Sequence, residues 1–156
     1  MNIVKLIASI VICFLAGALG SFFTSSSIPT WYASINKPSF NPPNWIFGPV
    51  WSLLYLMMAI AAYLIWQKGL DNRAVQIALV LFAVQLLLNS LWSIIFFGWH
   101  SPFYAFIEII FLWLSILFTI TQFFSLSAAA GWLMVPYILW VSFASVLNYF
   151  VMILNR

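Results

Sequence analysis

Long apolar runs of about 20 residues or more fill almost the whole of this chain, and only one of the polar connections between them is long. A bilayer core of roughly 30 Å is crossed by about 20 apolar residues in a helix. We therefore predict an all-α membrane protein, a bundle of five transmembrane helices with a long ordered loop between helices 1 and 2. The predicted spans are residues 3–23, 46–66, 73–97, 102–124 and 128–154 of a single domain, 1–156, and the lid loop is residues 24–45.

Charge and reactive side chains are scarce outside these runs. Only 4% of the residues are charged, against about 25% in soluble domains, and the five basic residues are scattered singly, so the sequence carries no basic patch for nucleic acid. Cys13 is the only cysteine, which excludes a disulfide within the chain. His100, Asp71 and Glu108 are the only His, Asp and Glu residues, which is too few to supply a metal or catalytic site. We therefore expect no metal centre and no hydrolytic triad.

The first apolar run has two interpretations. Lys5 followed by an apolar stretch ending in Ala18-Leu19-Gly20 resembles a secretory signal, but the run is long enough to span a membrane, so we expect an uncleaved helix. Three basic residues fall on the N-terminal side of the predicted bundle and two on the other side. By the positive-inside rule we expect a multi-pass protein of the cell membrane with a cytoplasmic N-terminus.

Small residues recur every fourth position along the first run, at Ser9, Cys13, Gly17 and Ser21. Such a stripe lets backbones approach closely in a membrane. It could meet a neighbouring helix of the same chain or a second subunit, and we favour the same chain. Glu108 lies inside the fourth run, where we favour a structural hydrogen bond to an Asn or a hydroxyl over a ligand or proton role.

Polar and aromatic side chains share single helix faces on three of the predicted spans. The faces are Trp51 and Tyr55 on the second span, Gln85, Asn89 and Trp92 on the third, and Trp140, Phe143, Ala144, Leu147 and Asn148 on the fifth. Because polar groups at membrane depth need partners, we expect these faces to turn inward.

Eight of the nine tryptophans divide by their depth along the spans, and the ninth, Trp31, lies in the lid loop. Those near span ends are typical of the aromatic belt at the bilayer surface: Trp45, Trp66, Trp99 and Trp132. Trp51 and Trp140 lie deeper, and their indole N–H groups need a partner, so we expect them to face a protein interior or a bound molecule. Trp92 and Trp113 are also deep, and the sequence leaves open whether they pack inside or face lipid.

The lid loop and the start of the next span carry Pro38, Pro42, Pro43 and Pro49, which fix the backbone and predict a stiff cover. We place Pro49 in the first turn of the second span, where its missing N–H costs nothing. Four polar residues are expected to close local turns, Asn36, Ser39, Asn41 and Asn44. A stiff lid above deep aromatic side chains predicts a pocket for a flat, largely apolar molecule.

These residues together closely resemble a known family. The resemblance is carried by WYASINKPSFNPPNWIFGPVW at residues 31–51, by Gln85, Leu88-Asn89 and Ile95-Phe96-Phe97-Gly98, and by Pro136-Tyr137, Trp140, Phe143-Ala144 and Leu147-Asn148-Tyr149. The sequence resembles a bacterial-type member of the translocator protein family, also called tryptophan-rich sensory proteins or peripheral benzodiazepine receptors.

The resemblance implies a homodimeric five-helix membrane protein that binds porphyrins, haem, isoquinoline carboxamides or benzodiazepines, and cholesterol in animal members. It implies light- and oxygen-dependent breakdown of protoporphyrin IX in several bacterial members. The matching catalytic positions are Trp51 and Trp140, and the matching ligand-binding positions are Tyr32, Pro42, Trp51, Tyr55, Asn89, Trp140, Ala144 and Leu147.

Two departures from the family pattern narrow the expected ligand. Phe40, Asn41 and Asn44 stand where many members have Trp and His, so no imidazole overlies the pocket. Haem iron usually takes His, Cys, Met or Tyr as its ligand, and we therefore expect metal-free protoporphyrin with no cofactor. Six residues separate Tyr149 from Arg156, which breaks the sterol-binding pattern.

Three functions follow from this reading. The first is porphyrin binding with photo-oxidative degradation of the ligand by light and O2. The second is a non-catalytic carrier of porphyrins or lipids across the membrane, and the third is a stress-regulatory interaction protein. Whether the first activity makes the protein an enzyme is left open, because the porphyrin itself absorbs the light.

Overall fold

The computed structural model describes residues 2–156, and its described residues form helices and turns without strands. The helices are α1 Ile3–Ser27, α2 Trp31–Ser34, α3 Asn44–Trp66, α4 Arg73–Ser93, α5 Pro102–Leu126 and α6 Ala128–Leu154, and α4 continues into a π-helical turn, Ile94–Gly98. Five of them are long and apolar enough to cross a bilayer: α1, α3, α4 with its π turn, α5 and α6. The predicted all-α membrane bundle is confirmed.

The helix ends differ from the predicted ends where local hydrogen bonds extend a helix. α1 runs to Ser27 rather than residue 23, and the hydroxyl of Thr24 donates to the carbonyl oxygen of Gly20 at 3.0 Å. Such bonds to the preceding turn satisfy hydroxyls inside a helix. α3 begins at Asn44, so Pro49 lies in the second turn and the predicted first-turn position is wrong. The missing N–H of Pro49 therefore removes one bond from the helix itself.

Side-chain caps fix the starts of three spanning helices. Asn2 accepts a hydrogen bond from the Lys5 backbone N–H at 3.2 Å, and Asn72 accepts one from Ala74 at 2.9 Å. Ser127 does the same at the start of α6. Asn and Ser are favoured there because their oxygen atoms satisfy first-turn N–H groups.

The five spanning helices form a ring. α1 packs beside α3 and α4, α3 packs beside α6, and α5 lies between α4 and α6. The small-residue stripe of α1 packs inside the chain, since Ser9 and Cys13 are buried and the Ser90 hydroxyl of α4 donates to the Ala16 carbonyl at 3.0 Å. The first apolar run is thus an integral helix of the bundle.

Side-chain hydrogen bonds fasten the lid loop to the bundle. The Asn36 backbone N–H donates to Asn155 Oδ1 at 2.9 Å, and Asn155 Nδ2 donates to the Asn36 carbonyl at 2.8 Å. The expected local turn at Asn36 is therefore wrong, because this residue pairs with the end of α6 instead. Lys37 Nζ donates to the carbonyl oxygens of Tyr32 and Ile35 at 2.6 and 2.9 Å.

Glu108 is buried in α5, with 7% of its surface exposed, and neither carboxyl oxygen has a hydrogen-bond partner within residues 2–156. The expected bond to an Asn or a hydroxyl is therefore wrong.

Trp113, by contrast, has a partner inside the bundle, because its indole N–H donates to the hydroxyl of Ser142 of α6 at 2.8 Å. Trp113 is a packing residue between α5 and α6.

Candidate ligand-binding site

A cavity of about 550 Å³ lies inside the half of the bundle nearest the lid loop. Its walls come from α1, α3, α4 and α6, with Ile28 and Tyr32 added by the segment that follows α1, and α5 contributes no lining residue. Pockets for small molecules commonly measure about 300 to 1,000 Å³ and are mostly apolar. The cavity can therefore hold one ligand of moderate size.

Two half-buried indole rings line this cavity from different helices. Trp51 of α3 lies 5.6 Å from the Tyr55 ring and 6.2 Å from the Tyr137 ring, measured between centroids. Trp140 of α6 packs edge-on against Phe47 at 6.1 Å. Neither indole N–H has a hydrogen-bond partner in the described chain, whereas Trp92 and Trp113 both have one. Both rings thus line the cavity with donors that have no partner in the described chain.

A hydrogen-bonded triad lies at the deep end of the cavity. The Tyr55 hydroxyl donates to Asn89 Oδ1 at 2.5 Å, and Asn89 Nδ2 donates to the Tyr137 hydroxyl oxygen at 2.8 Å. All three residues are buried. Tyr55 is eleven residues into α3, about 16 Å from the start of the helix at 1.5 Å per residue. The triad links α3, α4 and α6 and fixes the Asn89 side chain.

A second polar link supports the wall formed by α4 and α6. Trp92 Nε1 donates to Asn148 Oδ1 at 3.0 Å, and Asn148 Nδ2 donates to the Pro102 carbonyl of α5 at 2.8 Å. The Trp92 ring stacks on Phe96 with centroids 5.0 Å apart. Trp92 therefore faces inward and lines the cavity. Of the two alternatives that the sequence left open, an inside position is correct and a lipid-facing one is not.

Polar side chains gather where the cavity meets the lid end of the bundle. The lining there includes Ser21, Thr24 and Ser25 of α1, and Asn44 of α3. Trp45 also lines this part while 74% of its surface is exposed, so it combines a boundary position with a place at the cavity mouth.

Tyr32 closes the same end of the cavity from the lid loop. Its hydroxyl donates to Asn41 Oδ1 at 2.8 Å. Burial raises the pKa of the Tyr32 phenol above its ordinary value, and the hydrogen bond to Asn41 opposes that shift. The phenol is neutral at physiological pH and keeps the lid loop closed on itself.

Seven of the eight predicted ligand-binding residues line this cavity: Tyr32, Trp51, Tyr55, Asn89, Trp140, Ala144 and Leu147. Pro42 does not, because the proline segment packs outside the cavity, with Phe40 against Phe150 of α6 at 5.3 Å. The prolines thus stiffen the loop without covering the cavity. Ligand contact by the seven lining residues stays a prediction.

Sequence reasoning missed the wall made by α1. Gly17, Ser21 and Thr24 line the cavity, and the fourfold spacing that placed Gly17 and Ser21 on one face was the available signal. Gln85, which shares a predicted face with Asn89, is fully buried and lies outside the lining.

The lining contains no Lys, Arg, His, Asp, Glu, Cys or Met side chain. No group of three or more His, Cys, Asp or Glu residues that could hold a metal ion occurs within residues 2–156. The cavity is built for apolar, aromatic and hydroxyl contacts, and it offers no acid–base pair to a ligand.

A sequence profile described as the TspO/MBR family matches residues 9–154, which include every residue of the cavity lining. The chain belongs to the TspO/MBR family. It is 45% identical to the tryptophan-rich protein TspO of Archaeoglobus fulgidus, over 99% of each chain. It is 39% identical to protein CrtK of Rhodobacter capsulatus, over 93% of this chain and 89% of that protein.

A more distant TspO/MBR relative is the human translocator protein, which is 36% identical over 84% of this chain and 78% of its own. The resemblance drawn from the tryptophan-rich motifs is confirmed. The cavity is thus a feature of a multi-pass membrane protein of the TspO/MBR family.

Proposed function

We propose that the cavity binds a tetrapyrrole of the protoporphyrin IX type and that Trp51 and Trp140 promote its light- and oxygen-dependent degradation. The observation that carries the proposal is the pair of indole rings on α3 and α6, both of which line the cavity and have N–H groups without a protein partner in the described chain. A planar aromatic ligand gains stacking area from such rings, and its polar substituents can accept from the free donors.

The lining favours a metal-free macrocycle. It has no His, Cys or Met side chain to hold iron, and the hydroxyl of its Tyr55 already donates to Asn89. The propionate groups of the ligand fit the lid end, where Ser21 and Asn44 offer hydrogen-bond donors. The hydrophobic rings then lie deeper, between Trp51 and Trp140.

The protein's contribution to degradation is to position the ligand. Light absorbed by the porphyrin produces an excited ring that passes energy to O2 or exchanges an electron with a neighbouring indole. O2 is the oxidant and supplies the oxygen atoms that open the macrocycle. A ring held between two fixed indoles meets O2 in one orientation, so a single product is expected instead of a mixture.

The test compares illuminated protoporphyrin IX with the wild type, Trp51→Phe and Trp140→Phe, under O2 and under argon. Trp132→Phe is the matched control, since Trp132 also lies on α6 but is 66% exposed and outside the cavity lining. We expect both cavity variants to slow the loss of porphyrin absorbance and to broaden the product distribution, and the control to match the wild type. Unchanged rate and product in both cavity variants would contradict the proposal.

Transport of the same ligand is the second candidate, and it is supported by the name of the human relative, translocator protein. Proteoliposome flux of protoporphyrin in the dark, with intact ligand recovered, would select this function over degradation. Isoquinoline carboxamides and benzodiazepines are proposed as competing ligands of the same cavity, and their displacement by porphyrin would locate binding there. A homodimer is proposed as the working assembly, to be tested by mass measurement in detergent.

A further inference from the structure

A second cavity of about 540 Å³ lies where α2, the first turn of α5 and the end of α6 meet. It is at the same end of the bundle as the lid loop but shares no lining residue with the ligand cavity. Its lining is Trp31, Ile35, His100, Ser101, Pro102, Phe103, Met152, Asn155 and Arg156.

The charged and polar groups of this second cavity are mainly donors. Arg156 has no Asp or Glu side chain as a partner among the described residues, because Asp71 lies at the opposite end of the bundle and Glu108 lies inside α5. His100 stacks flat on Trp31, with centroids 4.7 Å apart and an angle of 14°. The face of the imidazole is thus covered by Trp31, and its ring nitrogens remain available at the edge.

The first turn of α5 adds backbone donors to the same place. Pro102 is the first residue of the helix, and Ser101 makes no side-chain capping bond. The N–H group of Phe103, a lining residue, therefore lacks a helical partner. A guanidinium, an imidazole and an uncapped helix start converge on one cavity, which is an arrangement that favours an anion.

The walls of the second cavity are held in place by long-range contacts. Asn155 is bonded to Asn36 of the lid loop in both directions, at 2.9 and 2.8 Å. His100 has a φ of +54°, and the bonds from Trp99 to Ile94 and from Ser101 to Ile95 fix that turn at the end of α4. Asn155 and the turn at His100 are therefore fixed by contacts within the protein.

The position of the second cavity decides which anion it fits. It lies at the ends of two spanning helices, and its lining residue Phe103 is 53% exposed, while Trp99 and Tyr104, next to lining residues in the sequence, are 66% and 61% exposed. Such residues mark the headgroup level of a bilayer. A phospholipid could place its phosphate on the donors and its acyl chains beside Phe103. A soluble anion would contact the donors but not Phe103.

We propose that the second cavity binds the headgroup of an anionic phospholipid through Arg156, His100 and the uncapped start of α5. Charge-assisted hydrogen bonds of this kind are strong enough that losing them weakens binding roughly tenfold or more. The site is separate from the ligand cavity, so lipid binding and porphyrin binding are expected to respond to different substitutions.

The experiment is native mass spectrometry of the purified full chain titrated with phosphatidylglycerol or with phosphatidylcholine of the same acyl chains. The wild type is expected to retain one phosphatidylglycerol in preference to phosphatidylcholine. The double variant with His100→Asn and Arg156→Gln is expected to lose that preference by roughly tenfold. Asn tolerates the positive φ of position 100, so the turn is preserved.

Arg73→Gln is the matched control, because it removes the same charge at the opposite end of the bundle. Porphyrin titration of the double variant checks that the bundle is intact. Equal retention of the two lipids, or a preference that survives the double substitution, would overturn the proposal. Displacement of phosphatidylglycerol by glycerol 3-phosphate at the same concentration would also overturn it, since that result identifies a site for free anions.

Discussion

Adding a single methyl group at Gly17 tests how the cavity wall is built. A Cβ atom at this position would lie 2.7 Å from Cε2 and 2.9 Å from Cδ2 of Tyr55. The Tyr55 ring cannot move away freely, because its hydroxyl is bonded to Asn89 at 2.5 Å and Trp51 lies beside it at 5.6 Å. Gly17→Ala therefore forces α1 away from α3 or breaks the bond to Asn89.

The magnitude follows from three terms. Overpacking costs about 1 to 3 kcal/mol, and loss of the hydrogen bond from Tyr55 to Asn89 costs about 1 kcal/mol. Replacing Gly by Ala inside a helix stabilises the helix by about 1 kcal/mol. The expected net loss in the free energy of unfolding is about 1 to 3 kcal/mol. Gly48→Ala is the matched control, since a Cβ there meets nothing within 4 Å. The higher helix propensity of Ala should therefore stabilise α3 without any clash.

The assay is reversible unfolding in mixed micelles, followed by circular dichroism, for each single variant and for Gly17→Ala combined with Tyr55→Ala. Removing the Tyr55 ring takes away the clash, so Gly17→Ala should cost nothing in that background. The coupling between the two sites would then equal the overpacking and hydrogen-bond terms. If Gly17→Ala stabilises the wild-type protein as much as Gly48→Ala does, the reasoning is refuted.

Three further substitutions test contacts that do not involve Trp51 or Trp140. Asn155→Ala removes the bonds that hold Asn36, and faster amide hydrogen exchange across the lid loop is expected, with unchanged exchange in α5. Glu108→Leu replaces a buried carboxyl that has no partner in the described chain, so a gain of about 1 kcal/mol in unfolding free energy is expected, and a loss would show that the carboxyl has a favourable partner. Trp92→Phe keeps the stack on Phe96 but leaves Asn148 Oδ1 without its donor, and a thermal-unfolding loss of about 1 to 3 kcal/mol is expected.

Helix number and the inward position of several side chains could be predicted because both depend on local patterns. An apolar run long enough to cross a bilayer forms a helix whatever surrounds it, and residues spaced by three or four share a face. Asn89 on the third span and Trp140 with Ala144 on the fifth were assigned to inward faces on that basis, and all three line the cavity.

Contacts between distant parts of the chain could not be predicted in the same way. The partner of Asn36 lies 119 residues away on α6, and an Asn in a proline-rich loop carries no sign of that choice. Pro42 was assigned to the site by family resemblance, yet the fold turns its segment outside the lining. Loop residues are placed by tertiary contacts, which helical periodicity does not report.

The four deep tryptophans fall into two groups, according to whether the indole N–H has a hydrogen-bond partner in the protein. Trp92 and Trp113 donate to side chains of α6, so their indoles are satisfied by the protein and serve its packing. Trp51 and Trp140 line the cavity without such a partner, although the chain places Asn89 and several hydroxyls in the same lining. A polar group at membrane depth without a partner costs free energy, and that cost is recovered when a bound molecule supplies the acceptor. If the cavity binds a ligand as proposed, the two unpaired indoles are the positions at which that ligand should gain most, and the two paired ones are those at which substitution should harm the fold first.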